Sequence, residues 1–577
     1  MGLRGAAFVL IGLLLGAGSN SGAEAATRGP KIAFQSALAK VFQDEAPPPG
    51  KPTWRLSMAR GERESVQLLI TAGGSDLNSV TVKDAGGRRD EFTVELSLVA
   101  YVKTAIGDRR PWAKSEGVGK VGWWPDPLLP NRPFDVAAGE TQPVWVTVFA
   151  RPGAPAGVHE AKLRVDLGRS GKREMAYQVR VFDVDLPAEQ KLRNAAFMPP
   201  GNLSAHYKPA GGIAGPEFLA LYKKWVRKAF SQHLGPTFDM LMGWNQGALR
   251  TNTTAGPLGP TAEMLLGRKD SHLSWPVLGG PGHYDFRVVD ELLDIGREYG
   301  LRQFAIAMFD REETWEQHSE KMKADMASLL RAYSAHLRSK GMLDAAYVYN
   351  SDEPPEKHWD TIRNNYSFVK SVVPELKVWL CLNQPKAVRG LQGSTDIWDV
   401  YIRQFERSGV EQRRRAGEQV IWAVCVWPHE HPNLFIEYPA VDARIIGWLT
   451  YRYGISGFEY WGLNQWGENT GQRDWANFER GGTRTTWQRT KWPWGDGWLM
   501  YPGERGEPLS SVRFDNVRDG FEDAELLLLL ASRGDRAAAD RIARSVAGSI
   551  TGYARDPREF EKARLALLEA LAARGKK

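Results

Sequence analysis

From about residue 190 the chain repeats one unit, a short apolar run followed by a longer stretch with helical spacing. The apolar runs are 195–198, 237–242, 304–309, 346–349, 378–382, 397–402, 420–426 and 457–461. Amphipathic stretches lie between most of them, among them 217–230, 288–299, 320–340, 356–372 and 440–452. Parallel strands need a crossover of a dozen or more residues, usually a helix. Eight such units over about 300 residues therefore predict a (β/α)₈ TIM barrel.

The chain ahead of this region has another rhythm. Short alternating runs such as 65–70, 92–96, 143–149 and 162–165 are separated by turn clusters, including Gly73-Gly74-Ser75 and 152–157. That spacing predicts an antiparallel β-sandwich. Past about residue 515 the chain is rich in Ala, Arg and Leu with helical spacing at 540–546 and 559–571, which reads as helix with a solvated face. The expected fold is α/β plus all-β. Its segments are a signal peptide at 1–25, a β-sandwich at 27–188, a barrel at 189–514 and a C-terminal helical segment at 515–577.

Arg4, the apolar stretch 6–15 and the small-residue site Ala23-Glu24-Ala25 have the order of a secretory signal, so the mature chain is expected to begin near Ala26. A secreted or periplasmic protein follows. No later stretch of 18 or more apolar residues suggests a membrane span. The leucines 526–530, flanked by Asp523, Glu525 and Arg533, read as a buried helix face. Two cysteines among 577 residues cannot build a disulfide scaffold, and Cys381 and Cys425 sit in apolar runs as buried free thiols. The net charge of +7 is spread over 75 basic and 68 acidic residues, which argues against a nucleic-acid partner. The 22 tryptophans suit large cores or stacking surfaces for sugar rings.

Several motifs lack the context that would give them meaning. Gly117-Val118-Gly119-Lys120-Val121-Gly122 follows a polar loop and precedes Trp123-Trp124-Pro125, not a helix, so it is no dinucleotide fingerprint. His429-Glu430-His431, bracketed by Pro428 and Pro432, has the wrong spacing for a helical zinc site. Neither a metal nor a cofactor is implied, and serine-hydrolase and ATP motifs are absent.

The strongest signal is Tyr347-Val348-Tyr349-Asn350-Ser351-Asp352-Glu353-Pro354-Pro355, a strand that runs into two adjacent carboxylates and is stopped by prolines. Asp352 could simply cap a helix beginning near Glu356. The C-terminal end of a barrel strand, however, is where barrel enzymes place their chemistry. Glycosidases that work by themselves flank the scissile bond with carboxyls roughly 5–5.5 Å or 6.5–9.5 Å apart. Neighbours in sequence cannot easily do so. They can act from one side when the substrate brings its own nucleophile, as a 2-acetamido group does by closing an oxazolinium ring. One carboxyl then protonates the leaving oxygen, and the other stays ionised and steadies the amide.

The chain resembles glycoside hydrolase family 123 and its uncharacterised catalytic-domain relatives over nearly all of its mature length. In the front domain the resemblance is carried by Gly61-Glu62-Arg63-Glu64-Ser65-Val66-Gln67, Trp124-Pro125-Asp126-Pro127-Leu128-Leu129-Pro130 and 138–146. In the barrel it rests on Asp352-Glu353-Pro354, Asp396-Ile397-Trp398, 433–440 and Gly457-Phe458-Glu459-Tyr460-Trp461, and later on 495–503 and 518–523. The resemblance implies retaining, substrate-assisted removal of β-linked N-acetylgalactosamine, with Glu353 as general acid/base and Asp352 as oxazolinium stabiliser. Asn350-Ser351 is more polar than the pattern expected ahead of the pair.

Strand-end position supplies the other candidates for binding a glycan substrate. Trp398, Trp427, Trp461 and Trp466 could floor a pyranose, and some of them could equally be core. Tyr349, Asn383, Tyr460 and Asn464 are candidate hydrogen-bonding groups, and Asp310 could bind sugar hydroxyls. The cluster from Trp487 to Trp498 could cap the barrel or form an outer subsite. Arg518, Asp519 and Asp523 read as an ion-pair and capping set at the start of the tail helix. Two other readings stay open at this point. One is a glycosidase for a sugar without a 2-acetamido group, with Asp310 or Glu459 as a second carboxylate. The other is a non-catalytic glycan-binding scaffold. Oligomeric state is not legible.

Overall fold

The structure, a computed structural model, describes residues 29–86, 91–104, 121–212, 216–237, 284, 286–309, 315–317, 319–426, 430–466, 470–473, 483–485, 487–489 and 493–575. The expected signal segment, residues 117–120, most of the expected second barrel strand, Asp310, Trp427 and His429 lie outside the described residues.

The front domain is a two-sheet sandwich. One sheet runs in the order Lys31–Ser36, Arg63–Thr71, Thr141–Ala150 and Phe92–Thr104, with Gly122–Pro130 also paired to Phe92–Thr104. The other runs Trp54–Arg60, Lys172–Asp185, Gly157–Asp166, Leu77–Asp84 and Phe134–Val136. Inward residues such as Val66, Leu68, Val146, Leu163, Val165 and Val179 form its core. The pairing departs from the antiparallel expectation at Trp54–Arg60, which lies parallel to Lys172–Asp185. That edge strand arrives from the opposite sheet through a long connection, which can deliver it in either direction. Gly61, at φ +79°, then turns the chain straight back into the first sheet. Gly122 opens a strand and not a helix, which removes the dinucleotide motif.

The barrel strands are Ala195–Ala196, Gly235–Pro236, Phe304–Met308, Ala346–Asp352, Lys377–Leu382, Ile397–Tyr401, Gln419–Ala423 and Gly457–Tyr460. They pair in parallel in the order second, first, eighth, seventh, sixth, fifth, fourth, third. Thr237 closes the ring. Its carbonyl accepts from Ala305 N at 2.8 Å, and its own N–H donates to Ala196 O at 2.9 Å. Helices Pro216–Phe230, Arg287–Glu298, Glu320–Ser339, Trp359–Val372 and Ala440–Tyr453 cover the outside, each bearing its apolar face on the strands. Among the described residues no helix is long and apolar enough to cross a membrane.

The tail corrects one expectation. Helix Val512–Leu530 starts ahead of residue 515, and most of it is buried, including Arg513, Asp515, Arg518, Asp519, Glu522 and Asp523. It follows the eighth strand in the barrel sequence and packs on Ala440–Tyr453. The two helices meet where Gly447 faces Gly520, and a Cβ on Gly447 would lie 1.9 Å from the Gly520 carbonyl oxygen. A charged sequence can be buried here because each charge is met by another. Arg513 forks onto Asp126 of the sandwich at 2.8 Å by both Nε and Nη2. Arg444 forks onto Glu64 at 2.8 and 2.9 Å and also reaches Asp523 at 2.8 Å. Arg518 pairs with Asp519 at 2.6 Å. These residues form the expected ion-pair set but lie within the helix, whose N-cap is Ser511, accepting from Phe514 N at 3.1 Å. Leu526, Leu527 and Leu530 are fully buried. The more solvated helices are Arg536–Val546 and Pro557–Arg574.

Candidate active site

The fourth barrel strand is buried along its length up to Asp352, which is half-buried. Tyr347 and Tyr349 point into the barrel among Phe197, Trp379, Cys381, Ile397 and Ile421, whereas Val348 faces the helices. Strict alternation would turn Ser351 inward and Asp352 outward. The ladder breaks that alternation. Tyr349 pairs with Trp379, Ser351 with Leu380, and Asp352 with Cys381, so Asn350 is an extra residue, a β-bulge. The bulge places Asp352 in the row of inward-facing Cys381. Asn350 is fixed to the covering helix. Its Nδ2 donates to Ile362 O, and its Oδ1 accepts from Asn365 Nδ2, both at 3.0 Å. The polar Asn350 ahead of the pair thus has a local structural reason.

Glu353 turns the chain at φ +49°, the left-handed region. That conformation costs a non-glycine residue about 1–3 kcal/mol, and a residue before proline normally stays extended. Its N–H donates to Cys381 O at 3.1 Å. Its carboxylate is gripped on both oxygens: Asn383 Nδ2 donates to Oε2 at 2.8 Å and the Tyr401 hydroxyl to Oε1 at 2.6 Å. Asp352 does not occupy an N-cap position, since the helical turns that follow have Pro355 and His358 there.

Beneath the pair, burial in the barrel interior disfavours charge. Cys381 lies beside Asp399 of the sixth strand in the ladder. Asp399 is fully buried, and its Oδ2 accepts from Trp379 Nε1 at 3.2 Å. Burial, reinforced by the charges of Asp352 and Glu353, pushes its carboxyl up to about 7. Burial likewise raises Tyr349, Cys381, Tyr401 and Cys425 well above their ordinary values.

Trp461 follows the eighth strand, half-buried against the inner cluster, and its Nε1 donates to Asp496 Oδ1 at 2.6 Å. Asp496 also accepts from Val426 N at 3.0 Å, so the segment around it clamps the ends of the seventh and eighth strands together. Gly497, at φ +84°, lets that segment lie on the Trp461 ring, 2.4 Å from where its Cβ would be. Within the segment Trp494 and Trp498 are buried.

The structure therefore gathers Asp352, Glu353, Tyr349, Asn383 and Trp461 at one end of the barrel. Four other candidates are not brought there. Trp398 is fully buried on the outer face, its Nε1 donating to Glu418 Oε2 at 2.5 Å. Tyr460 is fully buried; its hydroxyl donates to Gly495 O at 3.3 Å and accepts from Gly497 N at 2.9 Å. Asn464 is buried and donates to Pro199 O at 3.0 Å. Trp466 is buried against Trp225 and donates to Met500 O at 2.8 Å. Each is taken up by packing that a strand-end position alone does not reveal. Sequence reasoning also missed Tyr401, Asp399 and Trp379. The i, i+2 spacing puts Asp399 and Tyr401 on one face and Trp398 on the other, but in a strand buried on both sides it does not say which face is inward. Cys381 is a buried free thiol as expected, whereas Cys425 is half-buried.

Residues 309–530 match the family model described as the glycoside hydrolase 123 catalytic domain. Among solved structures the chain is similar to a family 123 glycoside hydrolase from Clostridium perfringens, described for glycolipid glycan hydrolysis. The two share 13% identity with a TM-score of 0.66, over 94% of this chain and 97% of that one. A family 39 glycoside hydrolase from Bacteroides cellulosilyticus is more distant, at 11% identity and a TM-score of 0.32 over 82% of each chain. No curated protein matches the sequence.

Proposed function

We propose, for a chain that carries a glycoside hydrolase family 123 catalytic domain and is therefore a glycoside hydrolase, that it removes terminal β-linked 2-acetamido sugars with retention. The sugar proposed is N-acetylgalactosamine, at the end of a glycolipid, glycoprotein or polysaccharide glycan. The observation that carries this reading is the one-sided placement of the carboxyls. Asp352 and Glu353 leave one strand end together, one aimed inward by a bulge and the other turned by a left-handed residue. Among the described residues, the other inner carboxyls near them, Asp399 and Glu459, are 0% and 3% exposed and enclosed in the barrel, out of a sugar's reach.

In the proposed reaction the Glu353 carboxyl protonates the glycosidic oxygen while the substrate's acetamide oxygen attacks the anomeric carbon. Asp352 remains ionised and accepts the amide N–H as positive charge develops on the ring. The Glu353 carboxylate then takes a proton from water, which opens the oxazolinium. Asn383 and Tyr401 keep Glu353 in place, and Trp461 is proposed to stack on the apolar face of the sugar.

The test is a set of aryl β-glycosides that differ at position 2. Hydrolysis of 2-acetamido-galactosides with none of the 2-hydroxy counterparts is expected. The opposite preference would defeat the reading. Export by the 1–25 segment is also proposed, and mass spectrometry of the secreted product should find an N-terminus within a few residues of Ala26.

A further inference from the structure

We propose that the Tyr401 hydroxyl, set between Oε1 of Glu353 and the Cys425 thiol, is a reversible donor that lets Glu353 alternate between acid and carboxylate. This rests on the reading of Glu353 as the acid/base. Tyr401 ends the sixth barrel strand and pairs with Ala423, so Cys425 lies two residues beyond its ladder partner. The hydroxyl donates to Glu353 Oε1 at 2.6 Å, and the Cys425 thiol lies against the same hydroxyl.

A group that holds a proton in one half-reaction and loses it in the next needs neighbours that tolerate both forms. The Asn383 Nδ2 group, at 2.8 Å from Oε2, can only donate and in this orientation favours the carboxylate. A hydroxyl with a second acceptor is different. When Glu353 is ionised, the Tyr401 O–H bonds Oε1. When Oε1 carries a proton, the O–H turns to Cys425 Sγ, and the carboxyl proton is left free to face the glycosidic oxygen. Only hydrogen bonds are exchanged. The phenolic proton stays on Tyr401 throughout, in keeping with the phenol and the thiol both being raised well above their ordinary values.

The charged and titratable groups around this chain are Asp352, Cys381, Asp399 and Arg403 toward Glu353, and Asp496 and Glu459 toward Cys425. All remain in each variant below, so differences from the unaltered protein isolate the relay. The full-length protein is labelled with [δ-¹³C]glutamate and titrated by NMR, the Glu353 signal being assigned by its loss in Glu353→Gln. Tyr401→Phe removes the donor to the carboxylate and should raise the Glu353 pKa by about one unit. Cys425→Ala removes the alternative acceptor, disfavours the acid form and should lower it by a few tenths of a unit, because a thiol is a weak acceptor. Cys425→Ser restores an acceptor and should return it to the starting value or above. Shifts of Tyr401→Phe and Cys425→Ala in the same direction, or no shift in either, would overturn the relay. The alkaline limb of hydrolysis of a poorly activated aryl 2-acetamido-galactoside should move with the NMR values. If Glu353→Gln leaves that limb intact, it is the reading of Glu353 as acid that falls, whatever the titration gives.

Discussion

Asp352 and Glu353 are neighbours in sequence with different surroundings, and that difference assigns their work. Glu353 is gripped on both oxygens, and Asp352 sits above a carboxyl, Asp399, that stays neutral up to about pH 7. Glu353→Gln should lose on the order of 10²–10⁴ in rate on glycosides with poor leaving groups and much less on those with very acidic phenols. Asp352→Asn should slow both classes, because ring formation needs its charge whatever departs. Rate measurements across a leaving-group series read this directly, and equal losses in Glu353→Gln would count against its role. Asp399 gives a pH prediction with a definite sign. Its folded pKa lies above its unfolded value near 4, so the folded state holds a proton that the unfolded chain has released. Its contribution is present below about pH 4 and lost as the pH rises to about 7, at about 1 kcal/mol per pH unit. Asp399→Asn should therefore match the unaltered protein near pH 4 and be the more stable of the two at pH 7, as read by denaturant unfolding at both pH values.

At the scale of elements, the bulge at Asn350 decides where the fourth strand points its carboxylate. Asn350→Ala removes the two bonds to the helix Trp359–Val372 and leaves buried Asn365 without its acceptor, which should cost about 1–3 kcal/mol of stability. The effect on kcat should exceed that on KM, because the row of Asp352 is set by the bulge and not by binding. A stability loss without any loss of kcat would show that the bulge does not aim Asp352. The strands themselves were legible because apolar runs bounded by helical stretches leave few alternatives. Their two faces were not. A parallel barrel strand is buried on both sides and reads as a continuous apolar run, so nothing in Ile397-Trp398-Asp399 shows which neighbour looks inward. Trp398 was thus expected at the sugar and lies against Glu418, and Asp399 passed unnoticed. The bulge has no sequence signature beyond the odd polarity of Asn350-Ser351.

For the whole molecule, the sandwich and barrel are joined by a buried ion network and not by a linker alone. Burial would raise the Glu64 carboxyl, but Arg444 and Arg564 overcome this and hold it at about 2. Its contribution is thus present above the unfolded value near 4 and lost as the pH falls through about 2. Arg444→Met leaves Glu64 and Asp523 short of a partner and should cost about 3–5 kcal/mol. Calorimetry should then separate sandwich and barrel transitions, and a single unchanged transition would mean that the network does not couple them. The helix Val512–Leu530, whose charges resemble a solvated tail in sequence, is the element through which this coupling runs. The central claim is that the substrate, and not the protein, supplies the nucleophile. The most direct measurement is inhibition by a galactose-configured thiazoline, a stable mimic of the oxazolinium, run beside labelling with a 2-deoxy-2-fluoro-galactoside. Strong thiazoline inhibition that weakens in Asp352→Asn, with no covalent adduct on intact-mass analysis, is the predicted result. A fluorosugar adduct on any carboxylate, with no thiazoline inhibition, would contradict it.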